Sequence, residues 1–173
     1  MRAATLLPAG SVNWTRVKDW ATGATQAAVL EALDKITKGE DYRTAMAFGQ
    51  PDGPSVPRNL IALGMYTELG DPPSLAGASF LFMPKLEQMA LLVHVEATRR
   101  AEEGDPAGAI DLLSDWLFFA RQMADREFYR EAYWGYWQMT AAFERIRDIA
   151  YLDVRGARAL TLEQLTAAIA RLD

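Results

Sequence analysis

His94 is the only histidine in this sequence of 173 residues, and histidine is the side chain best suited to proton transfer near neutral pH. It could serve as a general base or as a metal ligand. However, it lies in an apolar helical segment without a carboxylate at the three-residue spacing of a di-iron helix bundle. No Gly-x-Ser-x-Gly motif suggests a Ser-His-Asp triad. A structural role is the favoured interpretation, and we predict no catalytic residue.

Four carboxylates are spaced so that they could hold a hard cation such as Mg²⁺ or Ca²⁺. Asp111 and Asp115 lie one helical turn apart, and Glu127 and Glu131 repeat that spacing on the next predicted helix. With His94 they would suit a metal-dependent hydrolase. An ordinary solvated helix face explains the pattern more simply, and no EF-hand or Gly-rich phosphate loop occurs. We therefore predict a non-enzymatic protein with no metal site and no cofactor.

Large aromatic residues interrupt two otherwise polar helical stripes. The first stripe consists of Asp111, Asp115, Phe118, Gln122 and Asp125. The second stripe consists of Glu127, Glu131, Trp134, Gln138, Arg145 and Asp148, and Trp137 borders it. Trp and Tyr dominate the energetics of protein interfaces, so aromatic residues on a polar face indicate a contact surface.

We predict that this contact surface binds a protein or peptide partner, as in an interaction or scaffold domain. Its predicted members are Phe118, Arg130, Tyr133, Trp134 and Trp137. Two alternatives stay open at this point. Another helix, from the N-terminal half, could cover these side chains, or they could line the pocket of a small-ligand-binding domain.

Composition and charge exclude several other classes of partner. The net charge is −5 and no basic patch is recognisable, which argues against a nucleic-acid partner. No apolar run is long enough for a signal peptide or a membrane span, so we expect no membrane insertion and favour a cytoplasmic location. The chain has no cysteine, which excludes disulfides and thiolate metal sites. Homo-oligomerisation stays open.

The elements that position these residues are predicted to be helices alone. The apolar residues are rich in Ala and Leu, and helical periodicity dominates the C-terminal half. We predict an all-α, irregular or repeat-like helical domain built from antiparallel helical hairpins. Residues 1–50 form an N-terminal helical segment, residues 51–83 a Pro- and Gly-rich connection with one helix at Arg58–Leu69, and residues 84–173 the core. A short helix is also expected at Asp41–Phe48.

Turn and cap residues define the C-terminal helices. A helix from Pro84 ends at Gly104, Asp105 caps the next helix, and Pro106 takes its first position. That helix is predicted to end near Asp125, and the following one to run from about Arg126 to Asp153. Thr161 and Gln164 form a capping box for a last helix. Its inward residues are predicted to be Leu162, Leu165, Ile169 and Leu172.

The hairpin over Pro84–Asp125 resembles a tetratricopeptide-like unit. Ala97 and Ala109 match the small residues that face each other across the two helices of that family, and Gly104-Asp105 matches its turn. The resemblance covers about one repeat, and no second copy occurs at a fixed spacing. It implies a scaffold or peptide-binding role and brings no catalytic residues.

Overall fold

The computed structural model describes residues 13–38, 72, 74, 78–80, 82–125, 128–156 and 159–170. Within these ranges the regular structure consists of six α-helices and no β-strand, which confirms the predicted all-α fold. The helices are α1 (Trp14–Ala21), α2 (Ala24–Lys38), α3 (Met83–Glu102), α4 (Pro106–Ala124), α5 (Tyr129–Arg155) and α6 (Leu162–Ala170). The helices expected at residues 41–48 and 58–69 lie outside the described residues.

The turn between α3 and α4 follows the predicted chemistry. Gly104 adopts a positive φ of 87°, which glycine tolerates without strain. The carboxylate of Asp105 accepts a hydrogen bond of 2.8 Å from the backbone N–H of Gly108, and Pro106 opens the helix. The guanidinium of Arg100 donates to the carbonyl of Gly108 at 3.2 Å, which ties the two helices together beside the turn.

Helices α3, α4 and α5 form the main core, with α4 packed against both of its neighbours. Ala97 and Ala109 are fully buried, as their small size suggested. At Gly135 of α5, an added Cβ would stand 2.5 Å from the backbone nitrogen of Ala124 and 2.6 Å from the carbonyl oxygen of Ala120. Only glycine therefore permits this close approach between α4 and α5.

The N-terminal helices pack on the other side of α3. Trp14 and Ala21 of α1 form a second apolar cluster with Leu92 and Val95 of α3. The indole N–H of Trp14 donates to the carboxylate of Glu102 at 2.8 Å. Helix α3 is thus covered on two sides, as its wide apolar surface predicted.

The predicted polar stripe of α5 faces the core, contrary to the sequence-based expectation. Glu131 and Trp134 are 0% and 5% exposed, and Gln138 is also buried. Gly135, Ala142 and Ile149, which the helical periodicity of the small and apolar residues places on the inner side, are buried beside them. The stripe lies inward because α3 supplies a polar partner there: Glu87 accepts the indole N–H of Trp134 at 3.0 Å.

The last helix begins as predicted but faces its neighbours differently. Thr161 and Gln164 form the reciprocal capping box, with hydrogen bonds of 2.9 and 3.2 Å between side chain and backbone. Leu162 and Ile169 are exposed, so the predicted inward stripe is wrong at both positions. Leu165 packs on the core as predicted, and Ala168 packs there beside it. Leu172 lies outside the described residues.

The carboxylate of Asp153 directs the chain from α5 into α6. It accepts hydrogen bonds of 2.9 Å from the backbone N–H groups of Ala159 and Leu160, which turns the chain back toward α4. In the part of the chain that the structure describes, no helix combines the length and apolar character needed to cross a lipid bilayer.

Candidate functional site

The most conspicuous surface feature is the solvent-facing side of α5, which we call the outer face of α5. It includes Tyr129, Tyr133, Tyr136, Trp137, Thr140, Phe143, Glu144, Arg147 and Tyr151, all of them exposed. At 100° per residue these positions fall within an arc of about 120°. Six of the nine are aromatic, and their exposed fractions range from 43% for Trp137 to 81% for Tyr129.

Ring contacts order the beginning of this face. The rings of Tyr129 and Tyr133 stack with centroids 6.0 Å apart and an interplanar angle of 26°. The guanidinium of Arg130 lies 5.4 Å from the ring centroid of Phe80, a cation–π contact. Phe80 in turn meets Phe128 edge to face at 5.5 Å. These contacts hold the N-terminal turn of α5 against the segment that precedes α3.

The structure separates the five residues of the predicted contact surface. Arg130, Tyr133 and Trp137 are exposed on α5, whereas Phe118 is half-buried on α4 and makes contacts of its own. Trp134 is buried, so its predicted place on an exposed surface is wrong. It packs edge to face on Trp116, with ring centroids 5.8 Å apart, and its indole nitrogen is bonded to Glu87.

Four aromatic members of the outer face, Tyr129, Tyr136, Phe143 and Tyr151, were not among the predicted residues. Tyr129 and Tyr136 lie four and three residues from the predicted Tyr133. That spacing was visible in the sequence. It could not be assigned to the solvent side, because the polar stripe on the opposite side of the helix was the more obvious candidate for exposure.

A cluster of carboxylates forms where α2 meets α4. Asp34, Asp111 and Asp115 bring one oxygen each to within 4.8 Å of one another. The ammonium of Lys38 lies 2.6 Å from Asp34, 2.8 Å from Asp111 and 3.7 Å from Asp115. Burial acts to lower the pKa of Lys38, but the hydrogen bonds that its ammonium donates to Asp111 and Asp34, with the charges of Asp115 and Asp111, outweigh burial and raise that pKa. The lysine thus supplies the positive charge at this cluster.

The predicted hydrolase constellation is not assembled among the described residues. Asp111 and Asp115 are joined by Asp34, whereas Glu131 is buried on α5 and His94 on α3. Glu127 lies outside the described residues. The cluster instead works as an ion-pair network that holds α2 on α4.

A cavity of about 470 Å³ borders this cluster. Its charged lining includes Glu96, which accepts hydrogen bonds of 2.7 and 2.8 Å from Arg99 and of 2.8 Å from Arg100. Burial acts to raise the pKa of Glu96, but these two arginines hold it below its usual value. The lining contains no aromatic residue, and neither does that of a second cavity of about 340 Å³ between α4 and α6. Neither cavity is the aromatic-lined pocket of the small-ligand alternative.

His94 is buried, with a relative exposure of 2%. Its Nε2 atom has no hydrogen-bond partner among the described residues. Burial, together with the positive charge of Arg145, lowers the pKa of His94 to about 4. Arg145 of α5 donates to the hydroxyl of Thr98, which in turn donates to the carbonyl of His94 at 2.7 Å. The imidazole is therefore neutral at physiological pH and belongs to the packing of α3 against α5.

The fold and this surface define an all-α helical domain with an aromatic outer face on its longest described helix. No protein-family model, curated protein or solved structure matches the chain.

Proposed function

We propose that this chain is a non-enzymatic protein-interaction or scaffold domain, and that the outer face of α5 is its contact surface. The observation that carries the proposal is the concentration of exposed aromatic side chains on one side of one helix. At roughly 200 Å² for a fully exposed aromatic residue, the six rings present about 700 Å² to solvent. Exposed aromatic residues gathered on one side of a helix are typical of protein-contact surfaces.

The rigidity of the base beneath this face supports the same proposal. Helix α5 is anchored by Trp134, by the close approach at Gly135 and by the hydrogen bonds of Asp153. Tyr and Trp have few rotatable bonds, so their immobilisation in an interface costs little conformational entropy. The resemblance of the α3–α4 hairpin to a tetratricopeptide unit is a further argument for a scaffold role.

A site-specific photo-cross-linking experiment tests the proposal. A benzophenone amino acid replaces Tyr136 on the outer face, and in the matched control it replaces Ala28, an exposed residue of α2. We expect covalent adducts to a defined protein partner from position 136 and none of the same mass from position 28. Equal adduct patterns from both positions would contradict the proposal.

The affinity for the captured partner provides the second measurement. We expect Trp137→Ala to weaken binding by about 30-fold or more, as truncation of an interface hot spot does. Ala28→Ser should leave the affinity unchanged. Circular dichroism of both variants checks that the fold is retained.

A further inference from the structure

We propose that His94 and Arg145 form a binding site for a small oxyanion, such as sulfate, phosphate or a free carboxylate, at the seam between α3 and α5. The observation that carries the proposal is a pair of nitrogen atoms, Nε2 of His94 and Nε of Arg145. Both are shut off from solvent, and neither has a hydrogen-bond partner among the described residues. The site is separate from the outer face of α5, because Arg145 lies about 140° around that helix from Thr140.

A chain of contacts brings the two side chains together. The guanidinium of Arg145 donates through Nη2 to the hydroxyl of Thr98, which in turn donates to the carbonyl of His94 at 2.7 Å. His94 and Thr98 are four residues apart on α3, so their side chains are neighbours on one face, with Cβ atoms about 5–6 Å apart. The guanidinium therefore lies beside the imidazole. Besides burial, the charge of Arg145 lowers the pKa of His94, which agrees with this proximity.

The positive charge of Arg145 has no direct counter-ion among the described residues. Burial lowers the pKa of Arg145, and the charges of Asp148 and Glu102, which form no ion pair with it, oppose that effect only in part. Asp148 is held by Arg147 at 2.8 Å. Glu102 accepts the indole N–H of Trp14 at 2.8 Å. Because a desolvated charge without a partner is costly, the seam favours a negatively charged ligand.

The free donors of the site suit an oxyanion. The Nε–H group of Arg145 lies on the same edge of the guanidinium as Nη2, and this edge binds two oxygens of a carboxylate or a tetrahedral oxyanion in parallel. Nη2 keeps a second hydrogen beside the one that it gives to Thr98. Neutral His94 donates from Nε2 in one of its two tautomers. A water molecule satisfies the same atoms but leaves the charge uncompensated, so an oxyanion is the better ligand.

The two side chains differ in their access to solvent. His94 is 2% exposed, whereas Arg145 is half-buried. The imidazole thus forms the closed end of the site and the guanidinium its entrance. This arrangement limits the ligand to small oxyanions.

Proton NMR of the parent protein tests the site without any substitution, because its single histidine gives a unique ring resonance. The resonance is followed at pH 5 in sodium chloride and in sodium sulfate of equal ionic strength, and the dispersed amide signals verify that the protein is folded. In chloride, a pKa of about 4 leaves about one tenth of His94 protonated at this pH.

Bound sulfate favours the imidazolium, since an opposite charge within about 4–6 Å raises the pKa of a histidine by about 1–3 units. We therefore expect half or more of His94 to be protonated at pH 5 in sulfate. Equal protonation in the two salts would overturn the proposal.

Thermal unfolding at pH 7 provides the second measurement. Sulfate at about five times its dissociation constant should raise the midpoint by about 2–4 °C. Sulfate also stabilises folded proteins in general, so the comparison between variants is decisive. We expect Arg145→Gln to lose the additional rise, whereas Arg147→Gln, an exposed arginine on the same helix, should keep it.

An equal rise in the parent protein and in Arg145→Gln would reveal a general salt effect only and would overturn the site. If Arg145→Gln does not fold, the protonation of His94 in the parent protein decides the question alone. Phosphate and acetate, tested in the same way, distinguish a tetrahedral oxyanion from a carboxylate as the ligand. A response to either one that is absent from Arg145→Gln supports the site.

Discussion

Mild acidification is expected to destabilise this fold through His94. In the unfolded chain an exposed histidine has a pKa near 6.5, whereas burial and Arg145 lower the pKa of His94 to about 4 in the folded protein. Between pH 4 and pH 6.5, His94 is therefore protonated in the unfolded chain but neutral in the folded protein. The stability that the neutral imidazole contributes is therefore fully present above about pH 6.5 and is lost as the pH falls toward 4.

The size of the effect follows from the difference between the two pKa values. Each pKa unit corresponds to about 1.4 kcal/mol, so full protonation of the unfolded state costs about 3 kcal/mol. At pH 5 the loss is about 2 kcal/mol. Glu31, Glu96 and Glu103 contribute little in this range, because their folded-state pKa values lie below the usual 4.5.

Urea unfolding, followed by tryptophan fluorescence between pH 7 and pH 5, measures this loss as a lower midpoint at constant slope. In His94→Leu the dependence on pH should disappear over this range. Its stability at pH 7 should stay within about 1 kcal/mol of the parent protein, since Nε2 loses no hydrogen bond among the described residues. A midpoint that is the same at both pH values, or a His94 resonance that titrates near pH 6.5, would refute the reasoning.

Two further substitutions separate the core side of α5 from its outer face. Trp134→Ala should lower the free energy of unfolding by about 3–5 kcal/mol. Tyr133→Ala, one residue away and exposed, should change the free energy of unfolding by less than about 0.5 kcal/mol. Gly135→Ala should cost about 1–3 kcal/mol despite the better helix propensity of alanine, because its Cβ meets the backbone of Ala124. Gly156→Ala, whose Cβ meets only a carbonyl oxygen 3.2 Å away, is the matched control. Chemical denaturation measures the free energy of unfolding of all four variants, and equal losses for the two members of either pair would contradict these assignments.

Local chemistry explains why the helix boundaries were predictable. The cap at Asp105, the positive φ of Gly104 and the capping box of Thr161 and Gln164 involve residues within three positions of each other. Such interactions depend little on the rest of the chain, so a sequence pattern identifies them. The boundaries of α3 and α4 accordingly lie within one residue of the predicted ones.

The carboxylate cluster of the candidate site forms through contacts between distant helices, which a local sequence pattern does not reveal. In α4, Asp115 belongs to a polar stripe, yet it is 2% exposed where α2 packs on α4, with the ammonium of Lys38 3.7 Å from its carboxylate. The sequence placed Asp111 and Asp115 one turn apart, but Asp34, the third member of their cluster, comes from a helix more than seventy residues earlier. Packing between distant helices, and not spacing, formed the cluster.

By itself the sequence determined that the chain is helical, where α3, α4 and α6 begin, and that aromatic residues on α5 are unusually frequent. Only the tertiary structure decided that the polar stripe of α5 with Glu131, Trp134 and Gln138 is buried beside the apolar residues. Periodicity assigned that stripe to solvent, because polar residues usually occupy the solvent side of a helix. Glu87 on α3 and Trp116 on α4 provide partners for Trp134, and the packing that satisfies the indole turns Tyr129, Tyr133 and Trp137 toward solvent.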